Sequence, residues 1–172
     1  MNLPLGPVLP QEDPRQSLRV RRFLMAALVY LLAILLLALY VRQGLLALHE
    51  WRFAALVILL VNGALFALLR SGRNERFADP SLTGIQMIVV CLVMGMTMYL
   101  LDGGRGGMLL LFLVLLMFGV LRLNARQFTA LGGFALFCYA TAIAAVWQQR
   151  PEAFNPQVEF LHLAALSTLV PC

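Results

Sequence analysis

The sequence predicts an all-α, polytopic membrane protein, built as a bundle of six transmembrane helices whose sixth helix is truncated at the C-terminus. Hydrophobic residues make up 62% of the 172 residues, and the mean hydropathy is +0.87, well above that of soluble globular domains. Apolar runs of helix-spanning length recur, separated by short polar segments. All thirteen basic residues are arginines spread over these segments, a distribution that argues against a nucleic-acid partner and leaves the lipid bilayer as the expected one.

The elements follow from the apolar runs in chain order. Residues 1–22 are predicted to form a cytoplasmic N-terminal tail and residues 23–172 a transmembrane domain. The first apolar run is too long for a signal-peptide core and lacks a small-residue cleavage site, so we expect it to stay in the mature protein. The six predicted spans are 23–41, 53–69, 82–101, 106–121, 128–147 and 157–172.

The sixth span has a clear start and a short body. Asn155 and Pro156 are typical of a helix cap and a first helical position. After Glu159 the apolar part covers only residues 160–172, which at about 1.5 Å per residue reach about 20 Å across a core of about 30 Å. We therefore expect the chain to be the front part of a longer polypeptide.

The distribution of arginines predicts the orientation. The tail and the second and fourth loops together hold nine arginines, whereas the other three loops hold four. By the positive-inside rule, the N-terminus is predicted to be cytoplasmic.

One polar run, "RNERFADPSLTG" at residues 73–84, interrupts the apolar sequence. Asp79 followed by Pro80 predicts the start of the third helix. Arg73 and Arg76 are expected to face anionic headgroups, with Phe77 dipping into the headgroup zone. The run is either a well-capped turn or a docking surface for a cytoplasmic domain, and the second interpretation uses Arg73, Arg76, Phe77 and Asp79.

Two stretches carry a resemblance to a known family. "RNERFADPSLTGIQM" at 73–87 and "MFGVLRLNARQF" at 117–128 resemble the N-terminal multi-helix membrane region of bacterial GGDEF-type diguanylate cyclases. The resemblance implies a bacterial inner-membrane protein and a homodimer. It also implies a cytoplasmic GGDEF domain beyond residue 172, which uses magnesium to condense two GTP molecules into cyclic di-GMP.

The chain itself does not contain the catalytic signature of that family. The nearest string, "DGGRGG" at 102–107, is expected to be an outer turn whose glycines reverse the chain. No catalytic, GTP-binding or cofactor-binding residue is therefore assigned to these 172 residues.

Two other functions stay open as alternatives. Glu159 and His162 have the i, i+3 spacing of carboxylate-bridged metal sites, and His49 lies on the same predicted side of the membrane, so a haem or metal sensor is one alternative. The low number of histidines, two in all, argues against it. A self-contained transporter or scaffold is the other alternative, although no Asp, Glu or Arg lies at the centre of a predicted span.

Overall fold

The computed structural model describes residues 14–77, 79–120 and 123–168. These residues form six α-helices and two short 3-10 turns, and they contain no strand. The helices are α1 (Pro14–Arg42), α2 (Leu48–Arg70), α3 (Thr83–Leu100), α4 (Arg105–Val120), α5 (Ala125–Gln149) and α6 (Pro156–Ser167), and the turns are Arg73–Arg76 and Pro151–Ala153. The all-helical prediction is confirmed for this part of the chain.

Four of the six helices are long and apolar enough to span a membrane, namely α1, α2, α3 and α5. The other two are shorter: α4 has 16 residues and α6 has 12. At about 1.5 Å per residue they measure about 24 and 18 Å, less than a hydrocarbon core of about 30 Å. The membrane character of the protein is thus supported by four helices, and the six-span arrangement stays a prediction.

The helix boundaries differ from the predicted spans mainly at the two ends of the chain. α1 begins at Pro14, nine residues before the predicted span, so that residues 14–22 of the predicted tail are helical. The reason is that Val20 and Phe23 pack in a small apolar cluster with Leu69. Residues 1–13 lie outside the described part of the chain, as do residues 169–172 of the predicted sixth span.

The packing places α3 at the centre of the bundle. It contacts α2, α4 and α5, while α1 packs on α2 and α4, and α6 packs on α5. The outer faces of the bundle expose large apolar side chains, for example Leu35, Leu60 and Leu110, each more than 60% exposed. Such extended apolar surface is typical of a protein surrounded by lipid.

The loops gather at two ends of the bundle. At the amino-terminal end, residues 71–77 and 79–82 lie beside the first turns of α1, where Gln16 contacts Leu69 and Asn74. At the opposite end the loops between α1 and α2, α3 and α4, and α5 and α6 gather: the Asp102 amide donates to the Leu45 carbonyl oxygen at 3.0 Å. Each end holds one buried group of polar side chains.

Candidate functional site

The first turn of α6 presents two titratable side chains to the bundle. The helix begins as predicted, because the Asn155 side-chain oxygen accepts hydrogen bonds from the amides of Gln157 and Val158 at 3.2 and 3.4 Å. Glu159 and His162 therefore lie one turn apart on the same face, with the His162 Nδ1 atom 3.4 Å from Glu159 Oε2. Glu159 is only 3% exposed, so its charge needs partners within the protein.

Those partners come from α4 and α5. Arg105 Nη1 donates to Glu159 Oε1 at 2.8 Å, and the Tyr139 hydroxyl donates to Glu159 Oε2 at 2.5 Å. Arg105 and Tyr139 are both buried. Arg105, Tyr139, Glu159 and His162 form what we call the charged cluster, in which each charge is paired and hydrogen-bonded, as a buried ion pair requires.

Arg105 is also fixed by the end of α3. The last carbonyl groups of a helix have no partners within it and carry a partial negative charge. Arg105 and Arg150 supply donors to these groups. The accepting carbonyl oxygens are those of Met98 and Leu101 for Arg105, and of Tyr99 and Leu100 for Arg150. The guanidinium of Arg105 thus joins the end of α3 to the start of α6, and a further bond to the Ala153 carbonyl oxygen measures 3.0 Å.

The hydrogen bonds define the tautomer of His162. Tyr139 has one hydroxyl proton, and the 2.5 Å contact assigns it to Glu159 Oε2, while the other carboxylate oxygen of Glu159 accepts from Arg105. The 2.9 Å contact between the Tyr139 hydroxyl oxygen and His162 Nδ1 therefore requires a proton on Nδ1. In the neutral ring, Nε2 is left as a bare acceptor.

The glycines of residues 102–107, which cover the loop before α4 and its first turn, make room for another side chain in addition to the chain reversal expected from the sequence. Gly104 adopts φ +66°, and a Cβ there would lie 2.8 Å from the Tyr40 ring. A Cβ at Gly107 would lie 2.5 Å from the Tyr40 hydroxyl oxygen. The two glycines thus admit Tyr40, whose hydroxyl donates to the Gly104 carbonyl oxygen at 2.6 Å and ties the end of α1 to the loop.

An open cleft of about 540 Å³ lies beside the charged cluster. We call it the loop cleft. Its walls are residues 102–107, residues 152–155, and the Val158, Glu159 and His162 side of α6. The volume is in the range of small-molecule sites. The geometry can therefore bind a small ligand directly against the groups that hold α6.

The predicted metal candidates are only partly brought together. Glu159 and His162 meet as their spacing predicts. His49 is exposed in the first turn of α2. Within the described residues no group of three or more His, Cys, Asp and Glu side chains could hold a metal ion, so His49 does not complete a site with the pair.

The predicted docking residues lie at the amino-terminal end of the bundle. Arg73 and Arg76 belong to the 3-10 turn, and both are exposed together with Phe77. Asp79 accepts hydrogen bonds from the amides of Ser81 and Thr83 at 2.9 and 2.6 Å. α3 begins at Thr83, within one residue of the predicted span, but its N-cap is Leu82 and not Asp79. Asp79 instead holds the turn before the helix, and Pro80 lies outside the first helical turn.

Buried amides hold the same loop, and no sequence pattern predicted them. Gln16 Nε2 donates to Asn74 Oδ1 at 2.7 Å, and Asn74 Nδ2 donates to the Pro80 carbonyl oxygen at 2.5 Å. Gln16 also donates to the Leu69 carbonyl oxygen. We call Gln16 and Asn74 the amide cluster. The two residues are 58 positions apart, so no local pattern could pair them.

Sequence reasoning also missed Arg105 and Tyr139. Tyr139 is the fifteenth residue of the 25 in α5, so the carboxylate of Glu159 meets the middle of a membrane-length helix, where no ionisable group was expected. The available signal was a lone arginine among glycines at 103–107, since an arginine between apolar helices needs partners.

Comparison with protein-family models, curated proteins and solved structures finds no match to this chain.

Proposed function

We propose that this chain is the membrane-anchoring and signal-input domain of a bacterial diguanylate cyclase, with the GGDEF domain beyond residue 172. The resemblance of residues 73–87 and 117–128 supports the choice of family. The geometry supports signal input through one observation: Glu159 on α6 accepts hydrogen bonds from Arg105 on α4 and Tyr139 on α5. The last described helix is thus held to the bundle by polar groups beside a cleft.

The attachment of α6 depends on few side chains. Among the described residues of α6, only Glu159 and Leu166 are buried, whereas Phe160 and Leu161 are 71% and 66% exposed. A helix with so little apolar burial gains little packing energy from the bundle. The hydrogen bonds to Glu159 therefore decide where α6 sits.

This attachment provides a mechanism for signalling. A ligand in the loop cleft that changes the contacts of Glu159 or His162 favours one position of α6 over another. The shift is transmitted along α6 to the domain that follows it. In the proposed homodimer it changes how two GGDEF domains meet over GTP and magnesium. The proposal places the N-terminus in the cytoplasm and the protein in the inner membrane, with α4 and α6 completing six crossings together with their flanking segments.

The amino-terminal end of the bundle supplies the contact surface for the output domain in this proposal. Arg73, Arg76 and Phe77 project from a turn whose backbone is held by Asn74 and Asp79. Two exposed guanidinium groups beside an exposed aromatic ring suit an acidic protein surface. Replacing both Arg73 and Arg76 with Gln should lower cyclic di-GMP without changing expression. Arg126→Gln, at an exposed site in the first turn of α5, is the matched control.

The decisive experiment begins with the coding sequence beyond Cys172. A stop codon there would contradict the proposal, and a GGDEF domain there allows the output to be measured in cells. Tyr139→Phe keeps the Arg105–Glu159 ion pair but removes the bridge to His162, and it should change cyclic di-GMP several-fold at equal expression. The control is Tyr99→Phe, which removes a hydroxyl bonded to Gln149 outside the charged cluster. Equal output from the two variants would separate the cluster from signalling.

A small transporter is a second candidate, because the Arg105–Glu159 pair is buried between helices beside the loop cleft. Ionisable side chains inside a helical membrane bundle are common along transport paths. Uptake of a labelled solute by proteoliposomes, abolished in Glu159→Gln, would support this function over the signalling one.

A further inference from the structure

We propose that the loop cleft binds a small organic ammonium ion, which donates a hydrogen bond to Nε2 of His162 and is held by the carboxylates of Asp102 and Glu152. This inference deepens the proposed function, because it names the chemical class of the signal. It rests on three features of the cleft: the free acceptor on His162, the space left by Gly106, and the charge of the accessible groups.

His162 is an oriented acceptor. Its Nδ1 proton is directed to the Tyr139 hydroxyl oxygen at 2.9 Å, and the ring lies edge-on to the Tyr139 ring. A histidine whose one nitrogen is fixed in this way presents the other in a defined direction. In the neutral state that nitrogen, Nε2, has a lone pair and no proton, so it accepts a hydrogen bond and cannot donate one.

Gly106 leaves the approach to Nε2 open. A Cβ built on Gly106 would lie 3.1 Å from His162 Nε2 and 3.8 Å from His162 Cε1. Any residue with a side chain at this position would therefore press against Nε2. With glycine, no side chain of residue 106 covers the nitrogen, so a ligand donor can approach it from the cleft.

The accessible charges of the cleft are negative. Arg105, the one arginine among the residues that line it, is 3% exposed and already donates to Glu159 and three carbonyl oxygens. Asp102 and Glu152, in contrast, are both exposed, although Asp102 also pairs with Arg150 at 2.8 Å. Carboxylates that line the same cleft as a bare imidazole nitrogen offer acceptors to a cation and repel an anion.

An ammonium ion fits these groups better than a metal ion does. The described side chains that line the cleft do not converge into a group able to hold a metal, whereas an organic ammonium can distribute its N–H donors across a wider space. Phe154 adds an aromatic side chain to the cleft wall, and aromatic faces attract organic cations. The volume of about 540 Å³ accommodates a ligand with an apolar body as well as an amino group.

The test compares three probes of similar size on the full chain, purified in detergent, by isothermal titration calorimetry. The probes are benzylammonium, the neutral benzyl alcohol and the anionic benzoate. Benzylammonium should bind with a dissociation constant of about 1 mM or tighter, and the other two should bind at least about tenfold more weakly, because a charge-assisted hydrogen bond and the carboxylates are lost. Equal binding of benzyl alcohol, or tighter binding of benzoate, would overturn the proposal.

Three variants locate the site. Gly106→Ala fills the space beside Nε2 without removing any hydrogen-bonding group, and it should weaken benzylammonium binding at least about tenfold, as should His162→Gln. His49→Gln changes the other histidine, which is exposed in α2, and should leave binding unchanged. If Gly106→Ala binds as the parent does while its thermal unfolding is also unchanged, the assigned position of the ligand is wrong.

Zn²⁺ alone is the competing ligand. If Zn²⁺ binds tightly and depends on His162, while benzylammonium does not compete with it, the cleft is a metal site and the ammonium assignment fails. The binding assay is independent of cyclic di-GMP. Loss of the ammonium proposal with an intact effect of Tyr139→Phe on output would leave the signalling function standing, and the reverse result would remove signalling but keep the site.

Discussion

The amide cluster and the charged cluster perform the same structural task with different chemistry. Each joins three segments at one end of the bundle and is almost fully buried: Gln16 and Asn74 are 4% and 0% exposed, and Arg105 and Glu159 are each 3% exposed. The amide cluster is neutral, and its core bonds run between amides and backbone carbonyl oxygens. The charged cluster separates a full positive and a full negative charge at 2.8 Å and lies against an open cleft.

The difference between the two clusters indicates at which end of the molecule a bound ligand can alter the packing of the helices. Neutral amides with satisfied hydrogen bonds hold a turn in one shape at small cost in desolvation. Buried charges cost several kcal/mol to desolvate and repay this only while each keeps its partner. A ligand that competes for one partner therefore has a large effect at the charged cluster. The amide cluster has no buried charge, so losing one of its partners costs less desolvation free energy.

The largest effect should follow from breaking the ion pair. Arg105→Leu leaves the Glu159 carboxylate buried without its cation and deprives α3 of donors at its last carbonyl groups. We expect the free energy of unfolding to fall by about 3–5 kcal/mol, measured by thermal unfolding in detergent. Arg52→Leu, at an exposed site in α2, is the control and should change stability by less than about 0.5 kcal/mol. Similar losses in the two variants would mean that the ion pair contributes little.

A smaller effect is expected at the amide cluster. Asn74→Leu removes the donor to Pro80 and the partner of Gln16, and the loss of these buried hydrogen bonds should cost about 1–3 kcal/mol. The same unfolding assay measures the change. The control is Gln43→Leu, at an exposed loop position. Asn124→Leu would not serve, because Asn124 caps α5. A loss as large as that of Arg105→Leu would contradict the distinction between the two clusters.

The smallest effect should come from Asp79, whose side chain holds the turn before α3. Asp79→Ala removes two hydrogen bonds to backbone amides at an exposed site, which should cost about 1 kcal/mol. Asp79→Asn keeps an acceptor and should recover most of the loss. Full stability of Asp79→Ala would show that the amide cluster alone fixes the turn.

How much the sequence predicts depends on the separation of the residues involved. Local signals placed helix starts closely: Asn155 with Pro156 marks the start of α6, and Asp79 holds the turn that comes just before α3, although Leu82 is the N-cap. The pairing of Glu159 with His162 followed from helical spacing alone. The partners Arg105 and Tyr139 are 54 and 20 residues from Glu159, and only the packing of α4 and α5 brings them there. For the same reason hydropathy found the membrane-length helices but could not show that α1 continues back to Pro14.

The depth of the charged cluster has a further consequence. Glu159 meets α5 at Tyr139, ten residues before the helix ends at Gln149, which corresponds to about 15 Å along the axis. In a bilayer whose surface lies near the end of α5, the Arg105–Glu159 pair would lie below the headgroups, inside the field of the membrane voltage. That field amounts to about 2.3 kcal/mol per elementary charge per 100 mV for a full crossing. Under the ammonium proposal a cation bound at His162 would have crossed part of it, so its binding would depend on the energised state of the membrane.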